Sequence, residues 1–305
     1  MQTNKYRVLI WGTGKEYGRH LSLIQMNILK GSFEVVGITS NDKGISKLDN
    51  FDFINKESLS SIKFDYVLVA LEKIETEFWD EAKVRLGDEN IDKCIPIRVL
   101  SLPYFDFEKY IQIKQRNITV ISQMCFGGVC YNSLGLPFLS PTINMAIDDE
   151  EEYLDFISNL KYYMNCEVKY AGERYETNLK RNYPVGKVDN VHLLFNHYTD
   201  FNQAVELWEK RKKRINWDDL LIIGFTNNRE TEIKFNHINV ERKKIFVPYS
   251  TDLKDSISLL SYDSEKYEGS VAMQANEIAS GRNNQISLLS FLAGNENYTR
   301  ILRKN

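Results

Sequence analysis

Short apolar runs alternate with amphipathic stretches along the whole chain. Tyr6–Trp11 (YRVLIW) is apolar and rich in β-formers, and it breaks at Gly12-Thr13-Gly14. A helical spacing follows through Tyr17, Leu21, Ile24 and Ile28. Phe33–Thr39 (FEVVGIT) and residues 64–71 (FDYVLVAL) are further strand patterns, the second preceded by a short helix pattern over 57–62. In the second half, apolar runs recur at 118–121 (ITVI), 143–147, 191–195, 220–225 and 245–247. Between them lie helical patterns through Tyr153, Phe156, Ile157 and Leu160, through Ala204, Leu207 and Trp208, and up to Asn236. Residues 255–260 and 271–279 also read as helices, and the apolar stretch 287–292 reads as a segment that docks the tail. Strands that alternate with helices predict an α/β fold with mostly parallel sheets flanked by helices.

The length of 305 residues accommodates about two domains of roughly 150 residues. The polar stretch KQRN at 114–117 marks a boundary, giving domains 1–116 and 117–305. It lacks Pro and Gly, as a short linker between packed domains does. With 39 basic and 42 acidic residues the net charge is −3, so no global field draws the chain to nucleic acid. The dense basic run at 210–214 (KRKKR) reads, for its lysines, as a solvated helix face. The four cysteines show no CxxC spacing and no histidine pair has metal-ligand spacing, so no metal is assigned. The N-terminus lacks a signal-peptide pattern, and no stretch approaches the roughly 20 apolar residues of a membrane span. A cytoplasmic protein with free thiols is expected. The oligomeric state stays open.

Position-specific chemistry is densest over 183–216 (YPVGKVDNVHLLFNHYTDFNQAVELWEKRKKRIN). The run at 191–195 delivers His197 at its C-terminal end, where open α/β sheets bind ligands. Asp200, with Gln203 three residues on, has the form of a helix N-terminus. Arg211 and Arg214 share a face of the following helix and suit a phosphate or carboxylate, an inter-element salt bridge being the alternative. His197 is placed for acid–base work and Asp189 for orienting an acceptor hydroxyl, whereas His192, inside the run, reads as a core histidine. Asn216 stands at the helix end as a cap or a further substrate contact. Ser122, Gly127 and Gly128 form a loop whose N–H groups face a ligand. Cys125 beside those glycines could serve as a nucleophile with an adjacent histidine; with nothing local to lower its pKa it reads instead as a buried small hydrophobe. Asp148-Asp149-Glu150 has the composition of a metal motif but the position of a helix cap.

In the first domain, Gly12, Gly14 and Gly18 are spaced G-x-G-x-x-x-G, one residue longer than a dinucleotide fingerprint, and Asp42 lies later than a ribose-binding acid. The preferred reading is a tight first turn with no cofactor, Gly12 and Gly14 being the cofactor-binding candidates of the other reading. VLIWGTGKEYGR, VVGITSND and FDYVLVAL resemble a Rossmann-like module found beside bacterial surface-polysaccharide and teichoic-acid enzymes. ISQMCFGGVCYNSLGLPFLSPT, YPVGKVDNVHLLFNHY and WEKRKKRIN resemble an uncharacterised bacterial family, domain of unknown function 1919, associated with exopolysaccharide biosynthesis. That family favours Trp after its cysteine, where this chain has Phe126. The fold expected is therefore two Rossmann-like domains. The resemblance implies a transferase of cell-surface polysaccharide synthesis with a nucleotide-sugar or other phosphorylated donor. The alternative is a non-catalytic protein that binds a sugar phosphate or nucleotide. A nicotinamide-dependent oxidoreductase acting through Gly12 and Gly14 is a weaker third reading.

Overall fold

A computed structural model describes residues 5–42, 46–177, 180–259, 263–267, 269–282, 284 and 286–294. They form two compact units. The first holds residues up to Gln112 together with Ser287–Ala293, and the second holds Ile113–Ile286 and Gly294.

The first unit contains β1 (Tyr6–Trp11), α1 (Lys15–Leu29), β2 (Phe33–Thr39), β3 (Lys47–Leu48), β4 (Phe51–Asp52), β5 (Tyr66–Val69), α2 (Thr76–Leu86), β6 (Cys94–Pro96) and the start of α3 (Phe107–Arg116). Strands β2-β1-β5-β6 lie side by side and run parallel. Val8, Leu9 and Ile10 are fully buried, as a strand covered on both faces requires. Helix α1 buries Tyr17, His20, Ile24 and Asn27, a stripe of helical period. Gly12 has φ +115°, and a Cβ there would lie 2.6 Å from the Ala70 carbonyl oxygen. Its glycine is thus demanded by the closeness of β1 to β5. The residues expected to dock the tail form α10 (Leu288–Ala293), the last helix among the described residues, which joins this first unit. Lys109 donates to Ser290 there at 3.0 Å.

The second unit contains β7 (Thr119–Ser122), α4 (Phe126–Leu134), α5 (Glu150–Ser158), α6 (Leu160–Asn165), β8 (Lys169–Glu176), β9 (Arg181–Val188), β10 (Val191–Leu194), α7 (Phe201–Lys212), β11 (Leu220–Phe225), α8 (Arg229–His237), β12 (Lys243–Val247), β13 (Ser256–Ser258) and α9 (Val271–Ala279). Strands β13-β12-β11-β7 form a parallel sheet. Strands β10-β9-β8 form a separate antiparallel sheet. The core between α5, α6, α7 and the strands is dominated by Tyr153, Phe156, Phe195, Trp208 and Phe235. Phe225 and Phe246 stack at 5.8 Å, and Phe126 meets Phe246 at 5.5 Å, which seats the first turn of α4 on the parallel sheet.

Several expectations are revised. The run at 191–195 does not lie in the parallel sheet; β10 pairs with β9 in the antiparallel one. Residues 143–147 are not a regular strand, because Asn144 takes φ +61° and only Ala146 bridges to Leu194. Residues 255–260 hold a strand, β13, in place of a helix, with Leu260 outside the described residues. The expected loop over 122–128 turns into α4 at Phe126, so Gly127 and Gly128 lie in its first turn.

Phe246 is fully buried and links α4 to the sheet. Phe246→Ala is expected to lower unfolding free energy by about 3–5 kcal/mol, read from urea denaturation midpoints; a loss within experimental error would deny this cluster its role in seating α4.

Candidate active site

The geometry is set by a tight turn at the end of β7. Ser122 is 1% exposed. Its hydroxyl donates to the Met124 carbonyl at 2.6 Å and accepts from the Gly127 N–H at 3.0 Å. The chain thus closes on itself and enters α4 with Cys125 at the N-cap (φ −69°, ψ −6°). A Cβ at Gly127 would stand 2.9 Å from the Val120 carbonyl oxygen, so the glycine lets the helix start lie against β7. Gln123 ties the turn to β11 and to the segment at Ile147. Its N–H donates to Ile223 O at 3.1 Å, its side-chain oxygen accepts from the Phe225 N–H at 3.0 Å, and its carbonyl accepts from the Ile147 N–H at 2.9 Å.

The second half of the site comes from the antiparallel sheet. Ala146 and Leu194 exchange hydrogen bonds of 3.0 and 2.8 Å, which brings the C-terminal end of β10 beside the turn. The chain then leaves β10 through Asn196 and His197 before α7 begins, with Asp200 as its N-cap accepting from the Gln203 N–H at 2.7 Å. His197 Nε2 lies 3.5 Å from Cys125 Sγ. Cys125 is half-buried and His197 is exposed. Because β9 runs antiparallel to β10, its first residue falls at the same end. Arg181 donates there to the Asn196 carbonyl at 3.2 Å.

Burial pushes the Cys125 thiol above its ordinary value. Partial desolvation of the ring first, on a residue that keeps solvent access, then the nearby Arg181 guanidinium, holds His197 below the usual imidazole value. Both shifts favour the neutral forms, so at neutral pH the pair rests as thiol and imidazole. The N-terminus of α4 at Cys125 favours negative charge as it develops on sulfur, an effect of about 0.3–1 kcal/mol. A thiol and a neutral imidazole at this distance have the chemistry to act as nucleophile and base.

Of the residues singled out from sequence, His197 is the one that meets Cys125. Ser122 and Gly127 shape the turn, and Gly128 follows in the first turn of α4. Arg211 is 8% exposed, and its guanidinium donates to Ile143 O at 3.0 Å and Tyr198 Oη at 2.8 Å. Arg214 donates to Phe138 O at 3.3 Å. Asn216 joins the entry to β7, donating from its side chain to the carbonyls of Arg116 and Asn117 and from its N–H to Thr119 Oγ1. Asp189 occupies the β9–β10 turn with φ +49° and accepts from Tyr162 Oη at 2.9 Å. In the acidic stretch, Asp149 caps α5, Asp148 pairs with Arg174, and Glu150 accepts from Thr226. Among the described residues no group of three His, Cys, Asp or Glu side chains is disposed to hold a metal, and no helix is long and apolar enough to cross a membrane.

In the first unit, Gly14 caps α1 with open space around its Cα, and Thr13 donates to Asp42 at 2.6 Å. A pocket of about 420 Å³ lies at the opposite ends of these strands, lined by Tyr6, Asn27, Lys30, Ser32 and Asp106. Gly12 and Gly14 take no part in it.

Cys125 is weighed as a nucleophile in the sequence and set aside there as a buried hydrophobe, and Arg181 is not singled out by pattern. Cys125 has a recognisable local signal, a thiol between a strand end and the Gly-Gly start of a helix. Arg181 has none, since it arrives through the register of β9 with β10.

Residues 97–293, more than half of the chain, match the family model described as Domain of unknown function (DUF1919). The chain belongs to this family. Residues 4–92 match a second model, C2185-like, N-terminal. An uncharacterized protein of Haemophilus influenzae (strain ATCC 51907 / DSM 11121 / KW20 / Rd) is 25% identical over 165 residues, covering 52% of this chain and 76% of the relative. Cys125, Arg181 and His197 all fall within the DUF1919 match.

Two outcomes follow for this DUF1919 chain. Burial disfavours the Cys125 thiolate, so alkylation by iodoacetamide should rise with pH along a titration whose midpoint lies above the ordinary thiol value of about 8.5; a plateau persisting down to pH values near that of free imidazole would instead reveal a preformed thiolate–imidazolium pair. Arg211→Ala strands a buried carbonyl and a buried hydroxyl, at a cost of about 1–3 kcal/mol each, and should lower thermal stability while Cys125 alkylation keeps its wild-type rate. An unchanged stability would return Arg211 to the ligand-binding candidates.

Proposed function

We propose that this chain is a thiol-dependent acyl-transfer enzyme with Cys125 as nucleophile and His197 as base. The observation that carries this reading is the 3.5 Å contact between Cys125 Sγ and His197 Nε2 at the N-terminus of α4. The transferase class expected from the sequence is kept, with His197 still the base, but the group it deprotonates first is the Cys125 thiol in place of an acceptor hydroxyl.

The steps balance as follows. His197 Nε2 takes the thiol proton as sulfur attacks the carbonyl carbon of an activated acyl donor, and a C–S bond forms. The imidazolium returns that proton to the leaving group as its bond to carbon breaks, leaving a thioester on Cys125. An acceptor hydroxyl or amine, or water, then loses a proton to His197 and attacks the thioester. The C–S bond breaks and the thiol regains its proton. Neutral resting forms suit this sequence, because the base must be unprotonated before the first step. Surface-polysaccharide synthesis, where acyl groups are placed on sugar hydroxyls, is compatible with this chemistry and rests on the family resemblance alone.

Incubation with p-nitrophenyl acetate should give a burst of p-nitrophenol equal to the enzyme present, with the acetyl mass located on Cys125. Cys125→Ala should abolish the burst, and His197→Gln should slow it by about 10²–10⁴-fold. Folded wild-type protein that forms no thioester, or a burst surviving in Cys125→Ala, would sink the reading and favour a non-catalytic binding protein.

A further inference from the structure

We propose that Arg181 forms an anion subsite beside Cys125, so that the substrate of the thiol carries a carboxylate or phosphate close to the atom under attack. This deepens the acyl-transfer reading and rests on it. A guanidinium offers five N–H donors in a planar fork suited to either anion. Arg181 is half-buried, and its one internal hydrogen bond among the described residues goes to the Asn196 carbonyl at 3.2 Å. That carbonyl immediately precedes His197, whose Nε2 faces the thiol.

Among the described residues Arg181 makes no ion pair, although Glu176 stands opposite it in the register of β8 and β9. Arg174, on the neighbouring strand, is already paired with Asp148, and Glu173 accepts from Asn182. A half-buried guanidinium with solvent access keeps N–H donors available to an arriving anion. Its present effect is to weaken the base, since the guanidinium helps hold His197 below the usual imidazole value. A bound anion would cancel the guanidinium's share of that lowering, leaving the larger share from burial, when substrate is in place. Arg181 would thus select the substrate by charge and couple its arrival to deprotonation of the thiol.

Two reagents of the same size and leaving group test this by charge alone. Rate constants for alkylation of Cys125 by iodoacetate (anionic) and iodoacetamide (neutral) would be measured at low ionic strength by peptide mass mapping. The chains compared are wild type, Arg181→Gln and Arg181→Lys, with glutathione as the free-thiol reference. Any change in thiolate fraction affects both reagents and leaves their ratio intact. The iodoacetate-to-iodoacetamide ratio, relative to glutathione, is expected to fall about tenfold in Arg181→Gln and to be largely kept in Arg181→Lys. An equal ratio in wild type and Arg181→Gln overturns the anion subsite and leaves the nucleophile in place. Failure of both reagents to label Cys125 in folded wild type overturns the nucleophile reading, and the subsite with it. Inorganic phosphate and acetate, used as protectants of the wild type against iodoacetate, separate a phosphorylated substrate from a carboxylic one. Protection by either that persists undiminished in Arg181→Gln counts against the assignment.

Discussion

The arrangement of the second unit depends on Gln123. This 6%-exposed residue holds the Ile223 carbonyl with its N–H, the Phe225 N–H with its side-chain oxygen and the Ile147 N–H with its carbonyl. Polar groups withdrawn from water must find partners, and stranding one costs about 1–3 kcal/mol. The amide therefore fixes where β7 ends relative to β11 and where the 146–147 segment crosses it. That segment in turn bridges to β10. Cys125, which follows β7, and His197, which follows β10, are held in contact through this short chain of hydrogen bonds.

The site so formed departs from a thiolate permanently paired with an imidazolium. Desolvation acts on both members toward neutrality, and the arginine at the start of β9 adds to it for the imidazole. Against this stand the N-terminus of α4 and the exposure of His197 to solvent. Both shifts keep the thiol protonated at rest.

Much of the fold was legible because the decisive signals are local. The apolar runs of β1, β2 and β11 and the Asp200–Gln203 start of α7 stand out without any knowledge of tertiary contacts. The antiparallel sheet was not legible. Strand β8 (KYAGERYE) is exposed on both faces, so no alternation of apolar and polar residues marks it. Strand β9 carries Pro184, a residue that argues against a strand. Without that sheet, His197 could be placed at a strand end but not against Cys125, 72 positions away. The arginines of α7 looked available because a sequence does not display the Ile143 carbonyl and Tyr198 hydroxyl that occupy Arg211.

The discontinuity of the first unit bears on the order in which the chain acquires its structure during synthesis. Its parallel sheet lies within the first 112 residues, but α10, contributed by Leu288–Ala293, is made almost two hundred residues later. Buried Leu288, Leu289, Phe291 and Leu292 belong to that helix. As the nascent chain emerges, the apolar surface they cover must wait while the whole of Ile113–Ile286 is translated. At about 5–20 residues per second this interval lasts roughly ten to forty seconds. Ile113–Ile286 of the second unit can fold within that time, while the first unit waits for α10.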